Sequence, residues 1–92
     1  MDDQAIRNRI VRKMLRKRVV GNHKKQAATV VNWLPSHAQG RGKRLLEEMV
    51  TDPDSPVERY GGGHRNNVRL TGVEEAVHYL EGEGGEIPFG LD

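Results

Sequence analysis

The opening segment of the chain repeats apolar side chains with the period of an α-helix. One face is defined by residues spaced four apart, namely Ile6, Ile10 and Met14. We expect this helix to begin after Asp2 or Asp3, since an acidic residue caps a helix and favours the positive end of its dipole. The period breaks at residues 19–22, where a short strand is predicted.

A second helix is predicted over about residues 23–34, because apolar residues again share one face there. Pro35 ends it, since proline disfavours helical geometry in the residue before it. Ser36 and Gln39 have the spacing of a capping box, which predicts that a new helix begins at once. Two short helices joined so closely are expected to cross at a steep angle, as in a helix-turn-helix.

The third helix, predicted over residues 37–50, has two chemically different sides. Its apolar side consists of Ala38, Gly42, Leu45, Leu46 and Met49. Its other side is mainly basic and consists of His37, Gly40, Lys43, Arg44 and Glu47, flanked by Arg41 and Glu48. We expect the apolar side to pack on the first two helices, with Gly42 allowing close approach, and the basic side to remain exposed.

Two β-prone runs follow, at about residues 57–60 and 68–71. The Gly/Asn-rich connection between them carries His64 and Arg65 and is too long for a two-residue turn, so a hairpin with a basic tip is predicted. Thr71 and Glu74 repeat the capping-box spacing. They predict a fourth helix with an apolar face of Val73, Ala76, Val77 and Leu80.

This order of elements predicts an α+β fold, a winged helix-turn-helix with a three-helix core, a β-hairpin wing and a fourth helix. One domain is expected over residues 1–81, followed by a glycine-rich acidic tail at residues 82–92, since 92 residues suffice for one modest core. Cysteine is absent, and no apolar run approaches the ~20 residues of a membrane span. A soluble, cytoplasmic protein is therefore expected.

Charge is distributed unevenly along the chain. Residues 1–25 hold nine Lys/Arg and two Asp/Glu, a net charge of +7, whereas residues 51–92 hold three and nine, a net charge of −6. A basic front and an acidic back are typical of a protein that binds a polyanion. Surface helices of small proteins are also often rich in Arg and Lys, which is the simpler interpretation.

Catalysis and metal binding find little support in the sequence. The four histidines, His23, His37, His64 and His78, fall in four different predicted elements, and there is no HExxH motif. The glycine run before His64 is not a phosphate-binding loop, because no Gly-Lys-Ser/Thr follows it. We expect neither an enzyme nor a metal or other cofactor.

A helix-turn-helix inserts its second helix into the major groove, with the N-terminal half at the base edges. The residues predicted at or near the groove are His37, Gln39, Arg41, Lys43 and Arg44. Arg44 is the best candidate for reading bases, Lys43 and Arg41 suit phosphate, and Gln39 is equally explained by its capping role. The wing residues His64 and Arg65 suit the minor groove, and phosphate is expected at Lys24 and Lys25.

Several stretches resemble small winged-helix proteins of haloarchaea and their mobile elements. They are VVNWLP (30–35), MVTDP (49–53), VERYGG (57–62), VRLT (68–71) and GGEIPFG (84–90). The resemblance covers most of the chain and implies a winged-helix fold, but it carries little about function. Proteins from highly saline cells are usually acidic throughout, whereas this chain has a pI of about 9.2. The basic excess is easier to explain if the surface meets a polyanion.

Three functional hypotheses follow. The first is a double-stranded DNA-binding protein, a transcriptional regulator that acts as a homodimer through the fourth helix and the tail. The second is a protein-interaction module of the same fold, which docks a partner on its acidic back or on the apolar residues 87–89. The third is an RNA-binding protein that uses the basic first helix.

Overall fold

Helix α1 (Asp3–Arg16) begins where the sequence predicts, since the backbone N–H of Ala5 donates a 2.7 Å hydrogen bond to Oδ1 of Asp2. The structure is a computed structural model that describes residues 1–61 and 66–88. The buried side of α1 is formed by Ile6, Ile10, Val11, Met14 and Leu15. The predicted apolar face is therefore confirmed.

The other elements follow in the order β1 (Lys25–Gln26), α2 (Ala27–Asn32), a short 3-10 helix (Ser36–Ala38), α3 (Gln39–Thr51), β2 (Val57–Arg59), β3 (Asn67–Leu70) and α4 (Val73–Gly82). The strands form one antiparallel sheet in the order β1-β3-β2. Four helices and a three-stranded sheet within the described ranges confirm the α+β class.

The predicted strand at residues 19–22 is wrong in position. Only Val20 forms a bridge there, to Leu70, and the strand proper comes later, where Lys25 pairs with Val68. The backbone adopts φ values of 55° at Arg18 and 59° at Gly21, and a chain that turns twice in this way cannot stay extended. The first extended stretch that lies beside β3 is therefore β1.

Helix α2 is shorter than predicted, because the chain joins the sheet before it becomes helical. The N–H of Ala27 donates a 2.8 Å hydrogen bond to the carbonyl of Asn66, directly after the two residues of β1. Lys24 and Lys25 thus precede α2, and the prediction that they lie at a helix N-terminus is wrong. The helix ends at Asn32, before Leu34.

Both predicted capping boxes are wrong. Ser36 begins the 3-10 helix without capping it, and the Gln39 side chain donates from Nε2 to the carbonyl of Leu34 at 3.1 Å. Gly72 occupies the N-cap position of α4 without a side-chain cap, and the N–H of Thr71 donates a 2.8 Å bond to the carbonyl of Pro56. In each case a group that the capping box would use is bonded elsewhere, Gln39 to the segment just before it and Thr71 to the more distant Pro56.

The third helix packs as its periodicity predicts. Ala38, Gly42, Leu45, Leu46 and Met49 are all buried. A Cβ built on Gly42 overlaps the Leu34 side chain, so the absence of a side chain at this position lets α3 approach the end of α2 closely. The expected reason for glycine at position 42 is confirmed.

The segment after α4 folds back on α1. The N–H of Gly85 donates a 2.8 Å bond to the carbonyl of Leu80, and Nδ2 of Asn8 donates a 3.1 Å bond to the carbonyl of Glu83. Ile87 packs against the core, and Pro88 is buried. Within the described part of the chain, no helix has both the length and the apolar character needed to cross a bilayer.

Candidate nucleic-acid interface

The side of α3 opposite the core is open to solvent. Its exposed residues are Gly40, Arg41, Lys43, Arg44, Glu47 and Glu48, as the periodicity predicts, and His37 is exposed on the 3-10 helix just before α3. Open space also surrounds Gly40, since a Cβ built there meets no other atom within 4 Å. The surface expected to face a groove is therefore accessible.

Arg41 is tied to the start of α1. Its Nε donates a 3.0 Å hydrogen bond to Oδ1 of Asp3, and its Nη1 donates a 2.8 Å bond to the carbonyl of Met1. An ion pair between the Nη2 of Arg41 and the same carboxylate accompanies these bonds. The side chain keeps 46% of its surface exposed, so the guanidinium is held without being covered.

Arg44 shares that carboxylate. Its Nη2 lies 3.3 Å from Oδ2 of Asp3, and its Nε lies 3.6 Å from Oε2 of Glu48, one turn further along α3. The hydrogen bond from Arg41 holds the pKa of Asp3 below its ordinary value of 3.8. Desolvation opposes this effect, and the charges of Arg41, Arg44 and Arg7 lower the pKa further. Asp3 is therefore ionised at neutral pH and offsets part of the positive charge of α3.

Lys43 differs from the two arginines, because it forms no ion pair within residues 1–61 and 66–88. It lines a groove of about 400 Å³ between α2, α3 and the start of β3, together with Glu47. The facing wall is formed by Ala28, Asn32 and Asn66, among others. Lys43 is thus the α3 cation most available to an added anion.

The other predicted contact residues are dispersed. His37 is exposed on the 3-10 helix, whereas the Gln39 amide is tied to the end of α2. Lys25 is half-buried in β1. His64 and Arg65, at the predicted tip of the wing, lie outside the described residues.

The base of the hairpin carries a cluster that the sequence did not suggest, formed by Lys24, Tyr60 and Arg69. Lys24 Nζ lies 5.3 Å from the centroid of the Tyr60 ring, and Arg69 Cζ lies 4.1 Å from it. The Tyr60 hydroxyl donates a 2.8 Å hydrogen bond to Asn22. Cations over an aromatic face are held by the ring quadrupole, so this hairpin-base cluster fixes two positive charges beside the β2–β3 hairpin.

The position of Arg69 in this cluster follows from the register of the sheet. Glu58 lies directly opposite Arg69 on the neighbouring strand, and their side chains form a 2.8 Å ion pair. Lys24 directly precedes β1, which lies at the opposite edge of the sheet from β2. Nothing in the sequence next to Tyr60 indicates that Lys24 lies close to its ring.

The largest concentration of positive charge lies on α1. We call it the basic stripe, and it consists of Arg9, Arg12, Lys13, Arg16 and Lys17. Among the described residues it makes one ion pair, from Arg12 to Glu86 at 3.4 Å. Partial burial lowers the pKa of Lys13, and repulsion from the other four cations lowers it further.

Within residues 1–61 and 66–88, no group of three or more His, Asp or Glu side chains is placed so that it could hold a metal ion. Nδ1 of His23 lies 2.9 Å from the carbonyl of Arg18, which is a backbone contact. Comparisons with protein-family models, with curated proteins and with solved structures gave no match to this chain.

Proposed function

We propose that this protein is a winged-helix protein that binds double-stranded DNA and regulates transcription. The order α1-β1-α2-α3-β2-β3, with β3 in the centre of the sheet, is the layout expected of a winged helix-turn-helix. The observation that carries the proposal is the division of α3 into a buried apolar side and an exposed side rich in cations. In this proposal α3 enters the major groove.

Lys43 is the proposed phosphate contact on α3, since it needs to release no internal partner. Arg44 is the proposed base-reading residue, because its guanidinium can bond guanine in a bidentate manner. Its contacts at 3.3 Å and 3.6 Å are exposed ion pairs, which are worth only about 0–1 kcal/mol each. A nucleic acid can therefore displace them at little cost.

The hairpin is the proposed wing. The hairpin-base cluster would contact the DNA backbone through Lys24 and Arg69, which the Tyr60 ring holds in place. His64 and Arg65 at its tip are proposed to enter the minor groove, where narrow A·T tracts attract arginine. Homodimerisation through α4 and residues 82–92 is part of the proposal, because paired half-sites suit a two-fold symmetric regulator.

The first test is the salt dependence of duplex binding, measured by fluorescence anisotropy. Counterion release requires the logarithm of the association constant to fall linearly with the logarithm of salt concentration, with a slope of about −0.9 per phosphate contacted. We expect Lys43→Gln to make the slope shallower by about 0.9. Arg7→Gln is the matched control, because Arg7 lies on α1 and is paired with Glu48 at 3.9 Å. The proposal is contradicted if duplex affinity does not depend on salt concentration. It is also contradicted if Lys43→Gln leaves duplex affinity unchanged.

The second test separates DNA from the other partners. Selection of bound sites from random duplexes is expected to enrich one motif, and Arg44→Gln to relax its preference at one position by roughly 1–3 kcal/mol. Preference for structured RNA over the selected duplex in competition would instead favour an RNA-binding protein. A pull-down from lysate, with and without nuclease, tests for a protein partner. A partner that is lost after nuclease treatment supports the DNA proposal, and a partner that is retained after nuclease treatment contradicts it.

A further inference from the structure

The basic stripe of α1 concentrates positive charge on a part of the surface that the proposed α3 interface does not use. Four of its members, Arg9, Arg12, Lys13 and Arg16, recur at the spacing of one helix face. Arg9, Arg12 and Arg16 lie about opposite the centre of the buried face of α1, whereas Lys13 lies at the edge of that face, next to Ile6. Arg9, Arg12 and Lys13 are half-buried, and Arg16 is exposed. We propose that the stripe is a second nucleic-acid-binding surface, which holds a phosphate backbone separate from the one at α3.

The balance of charge distinguishes the stripe from α3. On α3, Arg41 and Arg44 share the Asp3 carboxylate, and Arg44 also contacts Glu48. In the stripe, the described residues supply a single carboxylate, that of Glu86, which is 85% exposed. The five cations are therefore largely uncompensated, and a bound polyanion would relieve their mutual repulsion.

The position of the stripe requires a separate segment of nucleic acid. Asp3 marks the side of α1 that faces α3, since it contacts Arg41 and Arg44. At 3.6 residues per turn, Arg9 and Arg16 lie about 120–140° around the helix axis from Asp3. A backbone held by the stripe is thus displaced around α1 from a duplex docked on α3.

The length and chemistry of the stripe suit a nucleic acid. From Arg9 to Lys17 it spans about 12 Å at 1.5 Å per residue. One strand of a duplex carries about three to four phosphate charges over that distance. Three of the five cations are arginines, whose planar donors match phosphate oxygens. Lys17 is held 5.1 Å from the centroid of the Trp33 ring, which extends the stripe to the end of α2.

The competing occupant is the acidic face of α4 in a second copy of the chain. That face offers Glu74, Glu75 and Glu81 as exposed acids, with His78 exposed among them. The carboxylates of α4 are confined to one short helix, whereas a phosphate backbone continues past both ends of the stripe at a regular spacing. This regular spacing and the three arginines of the stripe, whose planar donors match phosphate oxygens, favour nucleic acid.

A bridging assay tests the inference with the full chain. A biotinylated duplex on beads captures a fluorescent duplex only if one protein particle holds both. We expect capture with the unaltered protein and at least a fivefold loss with the double variant Lys13→Gln/Arg16→Gln. In the double variant the salt slope of capture should also become shallower by about 1.8, which corresponds to two phosphate contacts. Arg7→Gln, on the same helix but outside the stripe, is the control and should leave capture unchanged.

This inference rests on the proposed function in one respect, since the stripe is a second surface only if α3 is the first. The outcomes of the assay distinguish the failure of one from the failure of the other. Capture that survives the double variant overturns it, because two α3 helices of a dimer would then account for bridging. Self-association without nucleic acid that the double variant abolishes, measured by sedimentation velocity, also overturns it in favour of a second copy. If Lys43→Gln changes nothing while the double variant abolishes all duplex binding, the α3 proposal fails and the stripe remains. Thermal unfolding of each variant verifies that it is folded.

Discussion

Oδ2 of Asp3 lies 3.3 Å from Nη2 of Arg44, so a carboxylate from the first turn of α1 sits against the proposed recognition helix. Its other oxygen accepts a hydrogen bond from Arg41. One acidic residue thus compensates two of the three cations in α3 and orients their guanidinium groups. Any anion that binds this face through the arginines competes with Asp3.

Removing that carboxylate is expected to strengthen DNA binding. In Asp3→Asn the two arginines lose their charged partner, and two exposed pairs together correspond to a gain of about twofold to fivefold in duplex affinity at low salt. Anisotropy titration measures the change. Asp54→Asn is the control, since it alters the net charge equally from an exposed loop. Unchanged or weaker binding by Asp3→Asn would argue against α3 as the interface.

The stability contributed by Asp3 depends on pH in a defined direction. Its pKa lies below the ordinary value of 3.8, mainly because of the hydrogen bond from Arg41. A carboxyl group with a lowered folded-state pKa stabilises the fold above its unfolded-state pKa, and loses that contribution as pH falls through the folded-state pKa. We expect the stability difference between the unaltered protein and Asp3→Asn, measured by urea unfolding, to be constant above about pH 5 and to close below about pH 4. A gap that persists at lower pH would assign the effect of the substitution to another cause.

Lys13 makes a contribution of the opposite sign to that of Asp3, although stability again rises with pH. Its pKa is lowered by partial burial and then by the neighbouring cations, so its charged form disfavours folding at neutral pH. That unfavourable contribution disappears as pH rises from the folded-state pKa towards the unfolded value of 10.5. We expect Lys13→Gln to raise the midpoint of urea unfolding at neutral pH and low salt, and added salt to reduce the gain. A destabilised Lys13→Gln would mean that the lysine makes a net favourable contact.

Gly42 and Gly40 provide a matched pair on the two sides of α3. Ala at position 42 must displace the buried Leu34 side chain, so Gly42→Ala is expected to destabilise the protein by about 1–3 kcal/mol. Gly40→Ala meets open space and gains helix propensity, worth up to about 1 kcal/mol. Urea unfolding should therefore give opposite signs for the two variants. A stabilised Gly42→Ala would show that Leu34 repacks freely.

Tyr60 connects the hairpin to the chain before β1. Tyr60→Phe removes the 2.8 Å hydrogen bond to Asn22 and keeps the ring, so a loss of about 0.5–1 kcal/mol is expected. Tyr60→Leu also removes the surface beneath Lys24 and Arg69, at a further cost of roughly 0.5–1 kcal/mol for each exposed cation. Thermal unfolding of the two variants separates the contributions. Equal losses would mean that the ring face holds neither cation.

The sequence predicted the helix faces well because helical periodicity is a local property. The buried side of α3, from Ala38 to Met49, follows from spacing alone. The predicted capping boxes are wrong because a cap depends on the path of the backbone before the helix. The Gln39 side chain and the Thr71 N–H both form hydrogen bonds outside the predicted box. Strand β1 was misplaced because Lys25 and Gln26 become a strand only when β3 lies beside them.

The candidate site was predicted in its positions but not in its electrostatics. The exposure of Arg41 and Arg44 could be inferred from the helical period, whereas their shared partner Asp3 lies on another helix and depends on how α1 packs on α3. The hairpin-base cluster has the same origin, since its residues lie in or next to three different strands of the sheet. Charge composition could locate the basic residues but could not determine which of them are already paired.

The central strand also sets the order in which the molecule can assemble. Strands β2 and β3 pair within one hairpin. Lys25 in β1 pairs with Val68 in β3, and α2, α3 and β2 lie in the loop of chain between them. Closing so long a loop costs entropy that a short hairpin avoids, so β1 is expected to join late and slowly. Until it does, the hairpin is held on the helices only by its own buried side chains, among them Val57 and Leu70, and Lys24 is not yet placed beside Tyr60. A nascent chain would therefore complete the hairpin-base cluster only when β1 pairs.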